Sequence, residues 1–170
     1  MTPLGIRFLF DENIGSSLVL EIERLLESAD AEERATVKHV LAFQGEIGLE
    51  NQGVWDEVWV PRAAKDGWVV IAGDRGNKKG KKLPDLCAEY GITHFLLSPA
   101  VHHRKRFRKL LTVLSVWHEL IILVNNSPRG SRFIIEPSGP SAEHCARGKI
   151  TRRQNGRTPP PPGQLFDKNA

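Results

Sequence analysis

Residues 6–13 read Ile-Arg-Phe-Leu-Phe-Asp-Glu-Asn, a short apolar run that ends on two acidic residues and an amide. The apolar part is β-prone and is followed by Asp11, so it predicts a buried strand. Residues 68–72, Trp-Val-Val-Ile-Ala, form a second such run, which closes on Asp74. Asp56 opens the helical stretch that leads into that second run. Because the carboxyl ends of parallel strands form one edge of an open sheet, we expect these three acids to meet there.

The rest of the chain alternates between strand-like and helix-like stretches. Further strands are predicted at 37–43, 93–97 and 132–136, the last at an edge of the sheet. Helices are predicted from Ser16 to Leu26, over 56–65 with a kink or late start at Pro61, over 84–89 and over 104–118. This order predicts an α/β fold, a three-layer sandwich with a central, mainly parallel sheet and right-handed crossovers.

The length of 170 residues corresponds to a single domain, which we place at residues 1–136. Residues 137–170 are rich in Pro and Arg, and we expect them to form a disordered tail. No apolar run reaches the ~18 residues that a membrane span needs. The N-terminal residues do not resemble a secretory signal, so the two cysteines are expected to be reduced thiols and the protein to be cytoplasmic.

Charge is distributed unevenly along the chain. Residues 1–74 contain six Lys and Arg against fourteen Asp and Glu, whereas residues 75–170 contain eighteen against six. This asymmetry indicates an acidic surface or metal site in the first half and a polyanion-binding surface in the second. The alternative is a soluble protein whose uneven charges are simply solvated.

Carboxylates that gather at a sheet edge repel one another unless a cation lies between them, and Mg²⁺ or Mn²⁺ prefers such hard oxygen ligands. Asp11 is the expected central ligand, Asp74 shares that ion or holds a second one, and Asp56 completes the set directly or through water. Each acid also has an ordinary structural interpretation: strand termination for Asp11, an N-cap for Asp56 and a turn residue for Asp74. Such ions support phosphodiester hydrolysis, because they activate water and neutralise the phosphate.

The order of these features resembles that of PIN-like nucleases, particularly the compact DUF5615 and toxin-type subgroup. The matching features are Asp11-Glu12-Asn13 after an apolar strand, an acid at the head of a later helix, and Val69-Val70-Ile71 closing on Asp74. The resemblance covers residues 6–98 well and 99–136 loosely. It implies a metal-dependent ribonuclease, often the toxin of a toxin–antitoxin pair that a partner antitoxin protein holds inactive, and often a homodimer.

The chain departs from this pattern at two places. Ala72 occupies a position that usually holds Thr or Ser, and Arg75-Gly76-Asn77 follows the third acid where a Phe is common.

Other polar residues near these acids are candidates for catalysis or RNA binding. Glu12 either joins the catalytic acids or points away from them, and Asn13 either orients Asp11 or contacts substrate. Arg75 could neutralise the negative charge that develops during cleavage. Arg104 lies in a basic stretch at the start of a predicted helix, where positive side chains oppose the helix dipole. A lysine loop could grip phosphates that flank the scissile bond, or could simply be solvated; it contains Lys78, Lys79, Lys81 and Lys82.

Two other functions compete with the ribonuclease. A catalytically inactive PIN-like module that binds RNA or a protein partner is favoured by Ala72. A phosphorelay receiver domain also places acids after its first and third strands, but it needs a Lys at a late strand end. Ser98-Pro99 and Asn125-Asn126 occupy those places here, which disfavours the receiver.

Overall fold

The structure, a computed structural model, describes residues 5–48, 56–73, 82–139 and 146–153. Within these ranges the chain forms six strands and seven helices. The strands are β1 (Arg7–Phe10), β2 (Thr36–His39), β3 (Val69–Ala72), β4 (His94–Leu97), β5 (Arg132–Pro137) and β6 (Gly148–Arg153). The helices are α1 (Ser16–Leu26), α2 (Val40–Glu46), α3 (Asp56–Lys65), α4 (Leu83–Glu89), α5 (Pro99–His102), α6 (Arg106–Ser115) and α7 (Trp117–Asn126). None of the described helices has the length and apolar character that crossing a lipid bilayer requires.

The strands form a single sheet in the order β2-β1-β3-β4-β5-β6. Strands β1 to β5 are parallel, and β6 pairs antiparallel with β5. Phe10 is aligned with both His39 on β2 and Ile71 on β3, so these three strands end at the same level. The expectation of an α/β sandwich with a mainly parallel sheet is confirmed.

Helices cover both faces of the sheet, because side chains along each strand alternate between the faces. In β1, Phe8 and Phe10 belong to a core cluster with residues of α1, α5, α6 and α7. Leu9 belongs to the opposite cluster, with residues of α2, α3 and α4. The four-residue strands β3 and β4 are buried along their whole length, which explains why they read as continuous apolar runs rather than alternating ones.

The second strand is shorter than the sequence predicts. The predicted strand at 37–43 ends at His39, and Val40 already begins α2. The imidazole of His39 caps this helix, since its Nδ1 accepts a hydrogen bond of 3.2 Å from the Leu41 N–H. Val40 and Phe43 are buried at helical spacing, so tertiary packing outweighs the strand-like local pattern here.

The predicted basic helix over 104–118 is in fact two helices. Helix α6 ends at Ser115, and Val116 has backbone angles of φ −108° and ψ 5°, outside the helical region. Both Val116 and Trp117 are buried in the core. The Trp117 Nε1–H donates to the Glu33 carbonyl at 3.0 Å, so a contact distant in sequence sets the break. Pro61 lies inside α3, which spans its full predicted length.

Part of the predicted disordered tail is a strand. Residues 148–153 form β6, and Ile150 lies opposite Ile135 and packs against the core. The expectation of disorder from residue 137 onward is therefore wrong for this segment, because amino-acid composition contains no information about pairing with a neighbouring strand. For the same reason β5 is not an edge strand: β6 covers it.

His94 is a histidine in the core, only 1% exposed, on β4. Its Nδ1 lies 3.3 Å from the Ile92 carbonyl. Burial lowers the pKa of His94 to about 4; the hydrogen bond to Ile92 opposes this shift, and the charge of Arg132 adds to it. The imidazole is therefore neutral at physiological pH.

This buried histidine predicts a loss of stability in acid. Because the folded-state pKa lies below the unfolded value of about 6.5, the contribution of His94 is fully present above pH 6.5 and falls as pH approaches 4. The free energy of unfolding should decrease by about 3 kcal/mol from this group alone. Urea denaturation at pH 7.0, 5.5 and 4.5 should show a smaller decrease for His94→Phe than for the wild type. The control His118→Gln changes an exposed histidine, and equal decreases in all three proteins would contradict the prediction.

Candidate active site

The site lies where the direction of the chain crossovers reverses. After β1 the chain crosses to β2 on one side, and after β3 it crosses to β4 on the other. In open parallel sheets the crevice at such a switch point, outside the carboxyl ends of the strands, binds ligands. Asp11 follows β1 directly and Gly73 follows β3 directly. The Asp11 N–H donates to the Ile71 carbonyl at 2.9 Å, which holds the two strand ends together.

Asp11 is a buried carboxylate, only 5% exposed. It lies two residues beyond Leu9, whose side chain packs on the α2–α4 face of the sheet, and strand alternation directs residue 11 to that same face. The Asn13 Nδ2 donates to Asp11 Oδ2 at 3.3 Å, and the Ile14 N–H donates to the Asp11 carbonyl at 2.9 Å. The Asn13 side chain, in the turn that follows β1, therefore orients the Asp11 carboxylate. This is one of the two roles expected for Asn13 from the sequence.

Asp56 reaches the same edge through the topology of α3. This helix is connected to β3 by only three residues, 66–68, and runs back along the sheet, so its N-terminus lies at the carboxyl end of the strands. Asp56 is in the first turn, and its Oδ1 accepts a hydrogen bond of 3.1 Å from the Trp59 Nε1–H. Trp59 is 1% exposed, so a fixed core side chain orients the carboxylate.

Cys87 on α4 lies within electrostatic range of both carboxylates. The thiol is fully buried between the helices and the sheet. Burial raises its pKa most strongly, and the negative charges of Asp56 and Asp11 raise the pKa further. Both acids therefore lie close enough to this one thiol to disfavour its ionisation.

His39 supports the turn that carries Asp11. Its Nε2 lies 2.9 Å from the Ile14 carbonyl, while its Nδ1 accepts the Leu41 N–H. These partners place the proton on Nε2. Burial lowers the pKa of His39, although the bond to Ile14 and the charge of Glu12 oppose this shift. The neutral imidazole thus links the ends of β2 and β1.

His102 packs against the residue that precedes Asp74. A Cβ atom added to Gly73 would lie 2.3 Å from His102 Nδ1, far inside van der Waals contact. Glycine is therefore the residue that lets α5 approach the end of β3 this closely. The structure therefore places His102 at the switch point.

The other predicted site residues have different positions. Glu12 and Lys82 are exposed, and Lys82 is the N-cap of α4. The Arg104 Nη1 donates to Thr112 Oγ1 at 2.7 Å and so reaches towards α6. Five residues lie outside the described ranges: Asp74, Arg75, Lys78, Lys79 and Lys81.

The donors at this edge suit a hard divalent cation, since Asp11 and Asp56 both supply carboxylate oxygens. Among the described residues, no group of three or more His, Cys, Asp or Glu side chains is arranged to hold a metal ion. The third expected acid, Asp74, follows Gly73 at the same strand end but is not among those residues. The donor chemistry fits Mg²⁺ or Mn²⁺ with Asp11 and Asp56 as ligands.

A comparison with known families identifies the family of the first half of the chain. A family model described as a PIN like domain matches residues 6–99, more than half of the chain. The chain belongs to the PIN-like domain family. No curated protein and no solved structure matches it. PIN-like domains are generally nucleases, and the match includes Asp11, Asp56 and Asp74.

Sequence reasoning missed three residues that shape this PIN-like site: Trp59, Cys87 and His102. Trp59 stands three residues after Asp56, a spacing at which helical side chains meet, so the sequence did contain a signal for it. Cys87 and His102 come from separate helices, and the sequence contained no local signal for either.

Adding a methyl group at Gly73 should disturb the site and the fold. Gly73→Ala forces the His102 ring to move, and overpacking of this kind typically costs about 1–3 kcal/mol. We expect a lower denaturation midpoint in urea. Gly5→Ala is the matched control, because a Cβ at Gly5 meets nothing within 4 Å. Equal midpoints for the two variants would show that His102 does not restrict position 73.

Proposed function

We propose that this PIN-like protein is a divalent-metal-dependent ribonuclease that cleaves phosphodiester bonds in RNA. The observation that supports the proposal best is the buried Asp11 carboxylate, which lies at the switch point and shares the surroundings of Cys87 with Asp56. Asp11 is buried at the strand ends where open parallel sheets bind ligands, and the N-terminus of α3 brings Asp56 to the same edge.

Different residues of this chain would have different roles in phosphodiester hydrolysis. When bound, Mg²⁺ or Mn²⁺ supplies the activation of water and the neutralisation of phosphate charge. Asp11, Asp56 and Asp74 would hold the ion, and Glu12 at the exposed rim would assist them. Asn13 and Trp59 keep the first two carboxylates in place through the hydrogen bonds they donate. Arg75 and the lysine loop, residues 78–82, would bind phosphates on either side of the cleaved bond.

The finer assignment follows from the resemblance to the compact toxin-type subgroup. On that basis the protein acts in the cytoplasm as the toxin of a toxin–antitoxin pair, is neutralised by an antitoxin protein, and assembles as a homodimer. The resemblance in residues 6–98 supports this assignment, together with the α/β sheet that carries Asp11 and Asp56 at one edge.

A second candidate is a PIN-like module that binds RNA or a protein but does not cleave. Ala72 favours it, because this residue is 1% exposed at the end of β3 and offers no hydroxyl group next to the site. Binding without cleavage in the experiment below would select this function.

Removing one carboxylate should abolish cleavage. Asp11→Asn and Asp74→Asn should each lower the rate of RNA cleavage by more than about 100-fold, since even groups that only orient a metal ligand contribute about 10- to 100-fold. The measurement is cleavage of tRNA, rRNA and mRNA fragments with Mg²⁺, with Mn²⁺ and with a chelator. Asp30→Asn, at an exposed acid, is the control.

Cleavage that survives both substitutions and the chelator would exclude the metal–carboxylate mechanism. The toxin assignment has its own readout: expression of the wild type should arrest growth, whereas expression of Asp11→Asn should not. Growth arrest by both proteins would show that toxicity does not depend on the Asp11 carboxylate.

Trp59 should matter as a positioning residue. Trp59→Phe keeps the aromatic ring in the core but removes the hydrogen bond to Asp56, which should lower activity or metal affinity by about 10- to 100-fold. The readout is the Mg²⁺ concentration required for half-maximal cleavage, which should rise. Trp117→Phe is a matched control: it also removes an indole hydrogen bond, in this case to Glu33, on the other face of the sheet. An equal response of both variants would indicate a purely structural effect.

A further inference from the structure

The segment beyond the family match has a strong positive charge. Residues 100–153 contain eleven Lys and Arg against three Asp and Glu, whereas residues 1–99 contain eleven against sixteen. The PIN-like match ends at residue 99. The positive charge of the first 153 residues therefore comes from a part of the chain, α6, α7, β5 and β6, that the matched family region does not include.

Contacts between α6 and β6 join basic stretches that are distant in sequence. The Gly148 N–H donates to Ser115 Oγ at 2.9 Å, and a Cβ at Gly148 would lie 3.0 Å from Thr112 Cγ2. Thr112 also accepts the hydrogen bond from Arg104 at 2.7 Å. The basic start of α6 and the basic strand β6 thus belong to one continuous surface, which we call the α6–β6 surface. Its principal exposed side chains are Lys105, Arg106, Phe107, Arg108 and Arg152, the last on the same face of β6 as Ile150.

A large aromatic side chain stands among these cations. Phe107 is 69% exposed and lies between Arg106 and Arg108 in the first turn of α6. Leu111, one turn later on the same side of the helix, is 36% exposed and extends the apolar area. The first turn of α6 has no acidic residue, so its cations oppose the helix dipole and favour an anionic partner.

This surface begins at the same sheet edge as the candidate active site. The Arg106 Nη1 donates to Ser17 Oγ at 3.3 Å, and its Nη2 lies 3.6 Å from Glu21 Oε1. Ser17 is in the first turn of α1, which follows the turn that carries Asp11. Gly148 is aligned with Pro137 at the carboxyl end of β5, so the start of β6 lies at that edge as well.

We propose that the α6–β6 surface binds single-stranded RNA, with the Phe107 ring stacked on a base and the surrounding cations on phosphates. The inference rests on the proposed ribonuclease function and assigns the path of its substrate outside the family core. Positive charge beside an exposed aromatic ring is the combination that single-stranded nucleic acid uses. A duplex hides the faces of its bases, so an unpaired strand fits Phe107 better.

The first test measures RNA binding without cleavage. A fluorescein-labelled 20-nucleotide oligouridine is titrated with the full-length protein in a chelator, and anisotropy reports the dissociation constant. Phe107→Ala should weaken binding roughly tenfold, the typical effect of losing one stacked base. Phe107→Trp should retain binding. Ile122→Ala is the matched control, because Ile122 is an apolar residue of α7 that is 45% exposed.

The second test separates charge from stacking. For single strands the slope of log K against log salt is about −0.7 for each phosphate neutralised. Arg152→Gln should therefore reduce the magnitude of the slope by roughly 0.7, whereas Lys65→Gln, a change of an exposed lysine at the end of α3, should leave it unchanged. Unaltered slopes in both variants would remove β6 from the binding surface.

The two proposals fail in different ways. If the wild type cleaves RNA but Phe107→Ala binds as the wild type does, the α6–β6 proposal is wrong and the ribonuclease stands. If the wild type binds oligouridine through Phe107 and cleaves no RNA, the surface stands and the nuclease proposal fails. Lack of oligouridine binding together with Arg152-dependent binding of polyglutamate would overturn the RNA assignment in favour of an acidic protein.

Discussion

The site depends on the opposite directions in which the chain leaves β1 and β3. These neighbouring parallel strands send their crossovers to opposite sides of the sheet, so a crevice opens beyond their carboxyl ends. Asp11 stands on one side of it and Gly73 on the other, and the short connection after α3 brings Asp56 to the same edge. A strand order that separated β1 from β3 would also separate Asp11 from Gly73.

Two carboxylates, Asp11 and Asp56, determine the electrostatics of this edge of the sheet. The negative charges of Asp11 and Asp56 both add to the rise that burial causes in the pKa of the Cys87 thiol. Their geometry is maintained by neutral donors, the amide of Asn13 and the indole of Trp59. These two hydrogen bonds fix the orientation of each carboxylate.

The region beyond the PIN-like match is part of the fold rather than an appendage. Trp117 packs on Phe8 of β1 with ring centroids 5.1 Å apart, and Phe133 of β5 stacks on Phe95 of β4 at 4.9 Å. These contacts bury one whole face of the sheet and also fix the position of α6 and β6. The same packing that completes the core therefore displays the basic residues and Phe107 on one surface, beside the edge where Asp11 lies.

Local patterns were sufficient to predict the sheet class, the strands β1, β3 and β4, and the helices α1, α3 and α4. Burial of one face of a helix or strand produces a hydrophobic periodicity that is visible in neighbouring residues. Three features could not be predicted, because each depends on a partner distant in the chain. The helical start at Val40 depends on the core packed around Phe43, and the break at Val116 depends on the Glu33 carbonyl. The strand β6 depends on its pairing with β5. The sequence by itself determined which acids stand at element ends. Only the tertiary structure decided that Asp11 and Asp56 lie at the same edge of the sheet and that α6 contacts β6. Crossover direction and packing determine such contacts, and no local pattern encodes them.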